Sequence, residues 1–194
     1  MILHIHSDAA YLVMPKACSR IAGYFYFDNE HTKLPLLNGA LLVECKTLRR
    51  VVCSAAEAEL SGVFHDAQTA VPIRHLLISL GHSQPPTPLV TNNSTAHGFG
   101  HKNIIMKRSK AWDMNYYWLR DKEAHNQIDV QWDKGINNNS DYHTKHHPGT
   151  YHINVRPRYV IDKLNLITQN ICAKLDMMTK SSVRVRGCVS QRLT

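Results

Sequence analysis

Ser54-Ala55-Ala56-Glu57-Ala58-Glu59-Leu60 is the stretch at which the chain changes character. Before it, apolar residues come in short extended runs; after it, they recur every three or four positions. Ser54 with Glu57 three residues later is a capping-box pattern, in which hydroxyl and carboxylate each satisfy a backbone N–H at a helix start. Ala56, Leu60, Val63, Ala67 and Ala70 continue it as an apolar stripe. Pro72 is expected to break or kink this helix. A second short helix, Ile73 to Leu80, is expected to end at Gly81.

Towards the N-terminus, Ile2 to Ile5 reads as a strand that ends at Asp8. Ala22 to Phe27 is aromatic-rich and reads as a second strand. Asn38-Gly39 is a hairpin-turn signal between Pro35-Leu36-Leu37 and Ala40 to Val43, and Leu48 to Cys53 is a further candidate. Towards the C-terminus, Pro88 to Thr91 is a short strand. Ser109 is placed to cap a helix bearing Trp112, Tyr116 and Leu119 on one face. Ile128 to Trp132 alternates apolar and polar, the pattern of a half-buried strand. Gly135 to Ser140 is a polar, Asn-rich loop, and Asp141 opens a short helical segment that stops near Pro148. The order of elements predicts an α/β layout with an antiparallel start followed by crossover units.

The chain has 194 residues and a net charge of +8. Residues 142–194 hold nine Lys/Arg and two Asp/Glu, whereas residues 1–141 are almost balanced. A basic segment of this kind attracts phosphates without reading sequence; a solvated tail has the same composition. The expected division is a domain over residues 1–150 and a basic extension, partly disordered, over 151–194. Five scattered cysteines without a C-x-x-C argue against a disulfide framework or a zinc-thiolate site. No apolar run is long enough to cross a bilayer, and the first residues lack the pattern of a signal peptide. The expected setting is intracellular, cytoplasmic or nuclear, without a membrane.

Asp8, Glu59 and Asp141 all sit at element ends, Glu59 on the flank of the helical stripe beside Leu60. Acids so placed could converge on one sheet edge and hold hard cations through oxygen. Each alone also has a plainer reading: acids at helix starts are favoured by the dipole, and a strand-end Asp is often a turn residue.

The surrounding residues add a resemblance. Ile5-His6-Ser7-Asp8-Ala9 resembles the first-strand acid motif of copia-type ribonuclease H domains, and Ser54 to Leu60 resembles their helix motif, whose second Glu is catalytic. Gly81-His82, Gln84 to Pro88 and Thr91 to Ala96 are similar to the stretch carrying the third acid. Arg108 to Met114 and Tyr117 to Asp121 are similar to the helix that follows. Asp141-Tyr142-His143-Thr144-Lys145-His146-His147-Pro148 is similar to the motif holding the fourth acid. Five motifs in register, over roughly residues 1–160, resemble this retrotransposon family.

The resemblance implies a ribonuclease H-like fold, a mixed five-stranded sheet flanked by helices. It implies a polyprotein module, beside a reverse transcriptase region, that cuts the RNA strand of an RNA–DNA hybrid with two Mg²⁺, Mn²⁺ being an alternative. Asp8 would bridge the metals, Glu59 would hold one and Asp141 the other. Lys145, Arg156 and Arg158 would contact nucleic acid. The family has Asp where this chain has Asn92, and an amide brings no negative charge, so cleavage is expected to be severely reduced. The segment before Ser109 and the residues before Asp141 also depart from the family pattern. A non-catalytic nucleic-acid-binding module and an inactive retroelement relic are the competing expectations.

Two further groups stand out. His143, His146, His147 and His152 form a histidine cluster, read as phosphate-facing or exposed rather than as a zinc site. Tyr24, Phe25, Tyr26, Trp112, Tyr116 and Trp118 could stack on bases, but their strand and helix spacing reads as core.

Overall fold

A computed structural model describes residues 1–28, 39–93 and 110–160, with side chains from Asp113 onward in the last stretch. Its first strand, β1 (Ile2–Met14), forms a hairpin with β2 (Cys18–Asp28), and β2 pairs antiparallel with β3 (Leu42–Leu48). Helix α1 (Ala55–Ser79) follows, then β4 (Thr87–Thr91), α2 (Lys110–Ala124) and β5 (Ile128–Trp132). A 3-10 turn at Gly135–Asn137 leads to the one-turn helix α3 (Asp141–Thr144) and to α4 (Gly149–Tyr159). The described strands form one mixed sheet in the order β3-β2-β1-β4-β5, with β4 parallel to both β1 and β5. The chain divides into two compact units, Met1–Gly149 and Thr150–Thr194.

Alternation along β1 decides which face is the core, because successive side chains leave a strand on opposite sides. Leu3 and Ile5 are fully buried and join Phe25, Leu60, Val63, Ala67, Leu89, Ile128 and Val130 in one cluster between sheet and helices. Burying each such large side chain contributes roughly 1.5–3 kcal/mol. His4 and His6 leave on the other side, where they meet Tyr26 at 5.5 and 5.2 Å between ring centroids. Phe25 and Tyr116 belong to this cluster, whereas Tyr24 and Tyr26 are buried on the opposite face, beside His4 and His6. Trp118 is partly buried, edge-on to Phe64 at 5.2 Å; the side chain of Trp112 lies outside the described residues.

Several boundaries differ from the sequence reading. β1 continues past Asp8 to Met14, so Asp8 is inside the strand. The hairpin turn that extends it uses Lys16 and Ala17 at positive φ, without the Gly or Asn that would mark it in sequence. Leu48 to Cys53 is not a strand: pairing ends at Ser19 with Leu48, and Val52 instead plugs a small cluster with Ile21, Leu48 and Ala58. Pro35 to Asn38 of the expected Asn38-Gly39 hairpin, like Ser109, lie outside the described residues.

Pro72 does not end α1, which runs unbroken for 25 residues. The proline removes one backbone donor, while the following turns are held by buried Arg74 and Leu77. The helix closes in a Schellman motif at Gly81 (φ +87°), with Gly81 N–H on Ile78 O at 3.0 Å and His82 N–H on Leu77 O at 2.9 Å. At its start Ser54 Oγ accepts from Glu57 N–H at 3.1 Å, and Glu57 Oε2 accepts from Cys53 N–H at 2.8 Å. No described helix is long and apolar enough to cross a membrane.

Candidate acid centre

Register places two of the expected residues side by side. Parallel pairing of β1 with β4 ends at Ser7 opposite Thr91, so the next residues, Asp8 and Asn92, lie abreast. Asn92 Nδ2 donates to Asp8 Oδ1 at 3.1 Å. Trp132 Nε1 donates to Asn92 O at 3.0 Å, which fixes the Asn92 backbone. Gly135 leaves room for the amide: a Cβ there would stand 3.3 Å from Asn92 Nδ2.

Glu59 reaches the same place because α1 packs closely on β1. A Cβ at Gly62 would lie 3.3 Å from Ser7 Oγ and 3.6 Å from Asp8 O, so the glycine sets the helix against the strand. Glu59, less than one turn earlier, is 8% exposed, and its Oε2 has no hydrogen-bond partner.

Asp141 is delivered by a segment whose side chains face inward. Asn138, Asn139 and Ser140 are buried. Asn138 Nδ2 donates to Ser7 O at 2.8 Å, and Ser140 N–H donates to Asn138 Oδ1 at 3.0 Å. Asn139 N–H donates to His6 Nδ1 at 2.9 Å, leaving His6 Nε2–H to donate to Tyr26 Oη at 3.0 Å. These amides pin the head of α3 to β1. Sequence reading treats them as a polar loop; an Asn run directly before an acid is the signal it had to offer.

The last turn completes the centre. Thr144 Oγ1, on a residue 1% exposed, donates to Asp8 Oδ2, and Lys145 Nζ donates to Asp141 Oδ1. Thr144 was not singled out in the sequence. Lys145, expected at phosphates, has its ammonium on Asp141. Arg156 and Arg158 lie on α4, mostly beyond Gly149 in the second unit; the Arg156 side chain is exposed and that of Arg158 half-buried. In the histidine cluster, the His143 ring stacks on Tyr24 at 6.3 Å, and the His147 ring stacks on Tyr142 at 5.3 Å.

Electrostatics follow from burial. Loss of solvent pushes the Asp8 carboxyl above the usual range; Asp141 adds to the rise, while Thr144, Lys145 and Asn92 oppose it. Glu59 is pushed up to about 8, first by burial and then by the Asp8 charge. Burial opposes the charged form of Lys145, but Asp141, Asp8 and Glu59 outweigh it and raise its pKa. Three acids and one ammonium thus share one field.

A divalent pair needs carboxylate oxygens that are free and mutually facing. Here both Asp8 oxygens and Asp141 Oδ1 already accept from side chains, and Asn92 turns a donor rather than a charge towards Asp8. Among the described residues, no group of three or more His, Cys, Asp or Glu is arranged to hold a metal ion. The donor set, as folded, does not fit two cations.

Neither a family model nor a curated protein matches the chain. Solved structures do. The N-terminal ribonuclease H domain of a Mycobacterium tuberculosis protein superposes with a TM-score of 0.50 at 11% identity, covering 74% of this chain and 90% of that one. Ribonuclease H1 of the halophilic archaeon Halobacterium salinarum gives 0.50 at 11%, covering 74% and 94%. The LC11 ribonuclease H1 isolated from compost, solved with an RNA/DNA hybrid, gives 0.50 at 8%, covering 73% and 92%. At these identities the likeness establishes the fold: the chain is ribonuclease H-like, α/β, with a mixed five-stranded sheet and flanking helices.

Proposed function

We propose that this chain is the ribonuclease H module of a copia-type retroelement polyprotein, built to engage RNA–DNA hybrid beside a reverse transcriptase region. In this reading hybrid cleavage is severely reduced by Asn92. One observation carries it: Asp8, Glu59, Asn92 and Asp141, far apart in sequence, come together where β4 ends beside β1, and the amide stands against Asp8. The likeness to a ribonuclease H1 solved with an RNA/DNA hybrid supports the partner. Recognition would run through hybrid shape, phosphates and 2′-hydroxyls rather than base edges. Arg156 and Arg158, with the basic residues after them, supply charge for the phosphates. The setting is intracellular.

The ancestral reaction uses divalent cations to activate a water and stabilise the departing oxygen of the RNA strand. What the residues of this chain do is narrower. Asp8 is held between two donors, Glu59 keeps one oxygen unpaired, and Asp141 is neutralised by Lys145. This arrangement also favours a second reading, a hybrid-binding module without turnover. Cleavage of a labelled RNA–DNA hybrid in Mg²⁺ and then Mn²⁺ separates the readings. The expected outcome is negligible cutting by the natural chain and measurable cutting by Asn92→Asp. Fast cutting by the natural chain would refute the role given to Asn92. Folded protein that binds hybrid tightly, loses it steeply with salt and cuts in neither form would leave the binding module.

A further inference from the structure

The acids of this centre meet a cation that the chain itself supplies. Asp141 and Lys145 are one helical turn apart, the spacing at which side chains on one face touch, and Lys145 Nζ donates to Asp141 Oδ1. The stem of Lys145 starts from a fixed point, because its neighbour Thr144 is buried and grips Asp8 Oδ2. Asn92 supplies the remaining donor to Asp8. With its amide nitrogen on Asp8, a donor meets an acceptor; the opposite orientation would set two oxygens face to face. Trp132 holds the Asn92 backbone, and Gly135 leaves room for its amide. An Asp at residue 92 would leave four carboxylates for one ammonium. With Asn there are three, and Asp8 and Asp141 are each answered by a neighbouring side chain.

We infer that Lys145 is the resident counter-ion of this centre, so that the folded chain is complete without a divalent metal at Asp8, Glu59 and Asp141. Asn92, Thr144 and Lys145 act together, two hydrogen-bond donors and one charge where an ion would otherwise stand. This rests on the proposed reading of Asp8, Glu59 and Asp141 as the ancestral acid set. Lys145 is a positioning residue here, since it acts on the acids.

The test is metal linkage of stability, because an ion that binds only the folded state raises its melting temperature. The full chain is unfolded thermally in EDTA, in MgCl₂ and in MnCl₂, and Mn²⁺ binding is followed by electron paramagnetic resonance. The natural chain is expected to melt at the same temperature in all three, and Lys145→Arg to behave like it. Lys145→Met is expected to melt lower in EDTA, to recover with Mn²⁺, and to bind Mn²⁺ at least about tenfold more tightly than the natural chain. Tight Mn²⁺ binding by the natural chain would overturn the inference, whatever the variants do. So would a Lys145→Met that folds and gains no metal response, with Lys145→Gln as the second variant should Met prevent folding. The nuclease reading fails separately. If Lys145→Met gains Mn²⁺ while Asn92→Asp never cuts hybrid, the counter-ion stands and the nuclease reading falls. If Asn92→Asp cuts and Lys145→Met gains nothing, only the counter-ion falls.

Discussion

Near its N-terminus α1 carries Glu59 and near its C-terminus Arg74, both nearly inaccessible to solvent, and the two are surrounded differently. Arg74 donates to Pro85 O, to Thr87 Oγ1 at 2.7 Å and to Gln84 O at 3.2 Å. No carboxylate is among these partners, yet the guanidinium ties the helix end to the turn entering β4. Glu59 has one oxygen without any partner and other carboxylates for neighbours. A buried charge whose valences are filled by backbone and hydroxyl groups is structural. A buried carboxyl left short of partners, among other acids, costs stability once it ionises, a cost that a scaffold alone has no reason to bear. The contrast separates the two ends of one helix into a fastening and a candidate site.

Removing the fastening is the largest break of this comparison. Arg74→Met strands two carbonyls and a hydroxyl, and the expected loss is about 2–4 kcal/mol in urea denaturation. A loss well under 1 kcal/mol would mean that Arg74 is not structural. At the other end the sign reverses with pH. The folded-state pKa of Glu59, about 8, lies above its ordinary value of 4.5. Between those values the folded chain keeps a proton that the unfolded chain has released, so the Glu59 contribution to stability falls as pH rises from about 5 to about 8. Glu59→Gln has no such proton. Its stability relative to the natural chain is expected to improve by roughly 2–3 kcal/mol over that interval. Buried Asp66, also pushed up to about 8 by burial, is present in both proteins and cancels in the difference. A difference that stays flat from pH 5 to 8.5 would remove Glu59 from the charged centre. The smallest effect is at the helix cap. Ser54→Ala deletes the bond to Glu57 N–H and is expected to cost about 1 kcal/mol, independent of pH over the same range.

Legibility differed along the molecule for physical reasons. The start and end of α1 could be read because caps are local: Ser54, Glu57 and Gly81 act within a few residues of where they stand. The end of β1 could not, because Lys16 and Ala17 turn the hairpin at positive φ without a glycine. Pro72 does not break α1, because a single lost donor is a local cost, whereas Arg74 and Leu77 hold the following turns through contacts elsewhere in the fold. The Asn138 to Ser140 segment looked like solvent-exposed loop. Its burial depends on Ser7 and His6, more than 130 residues away in sequence.

The candidate centre divides in the same way. The sequence by itself carried the α/β layout through its apolar period, and its motifs, by resemblance, implied the ribonuclease H-like sheet and the candidate positions Asp8, Glu59, Asn92 and Asp141. It also determined that residue 92 brings no charge. Only the tertiary structure decided what surrounds that amide. Strand register sets Asn92 beside Asp8, Gly62 lets α1 bring in Glu59, and buried amides pin α3 so that Thr144 and Lys145 turn onto the acids. Hydrogen bonds and fields between residues some 50 to 130 positions apart are fixed by packing, and no local pattern in the sequence encodes them.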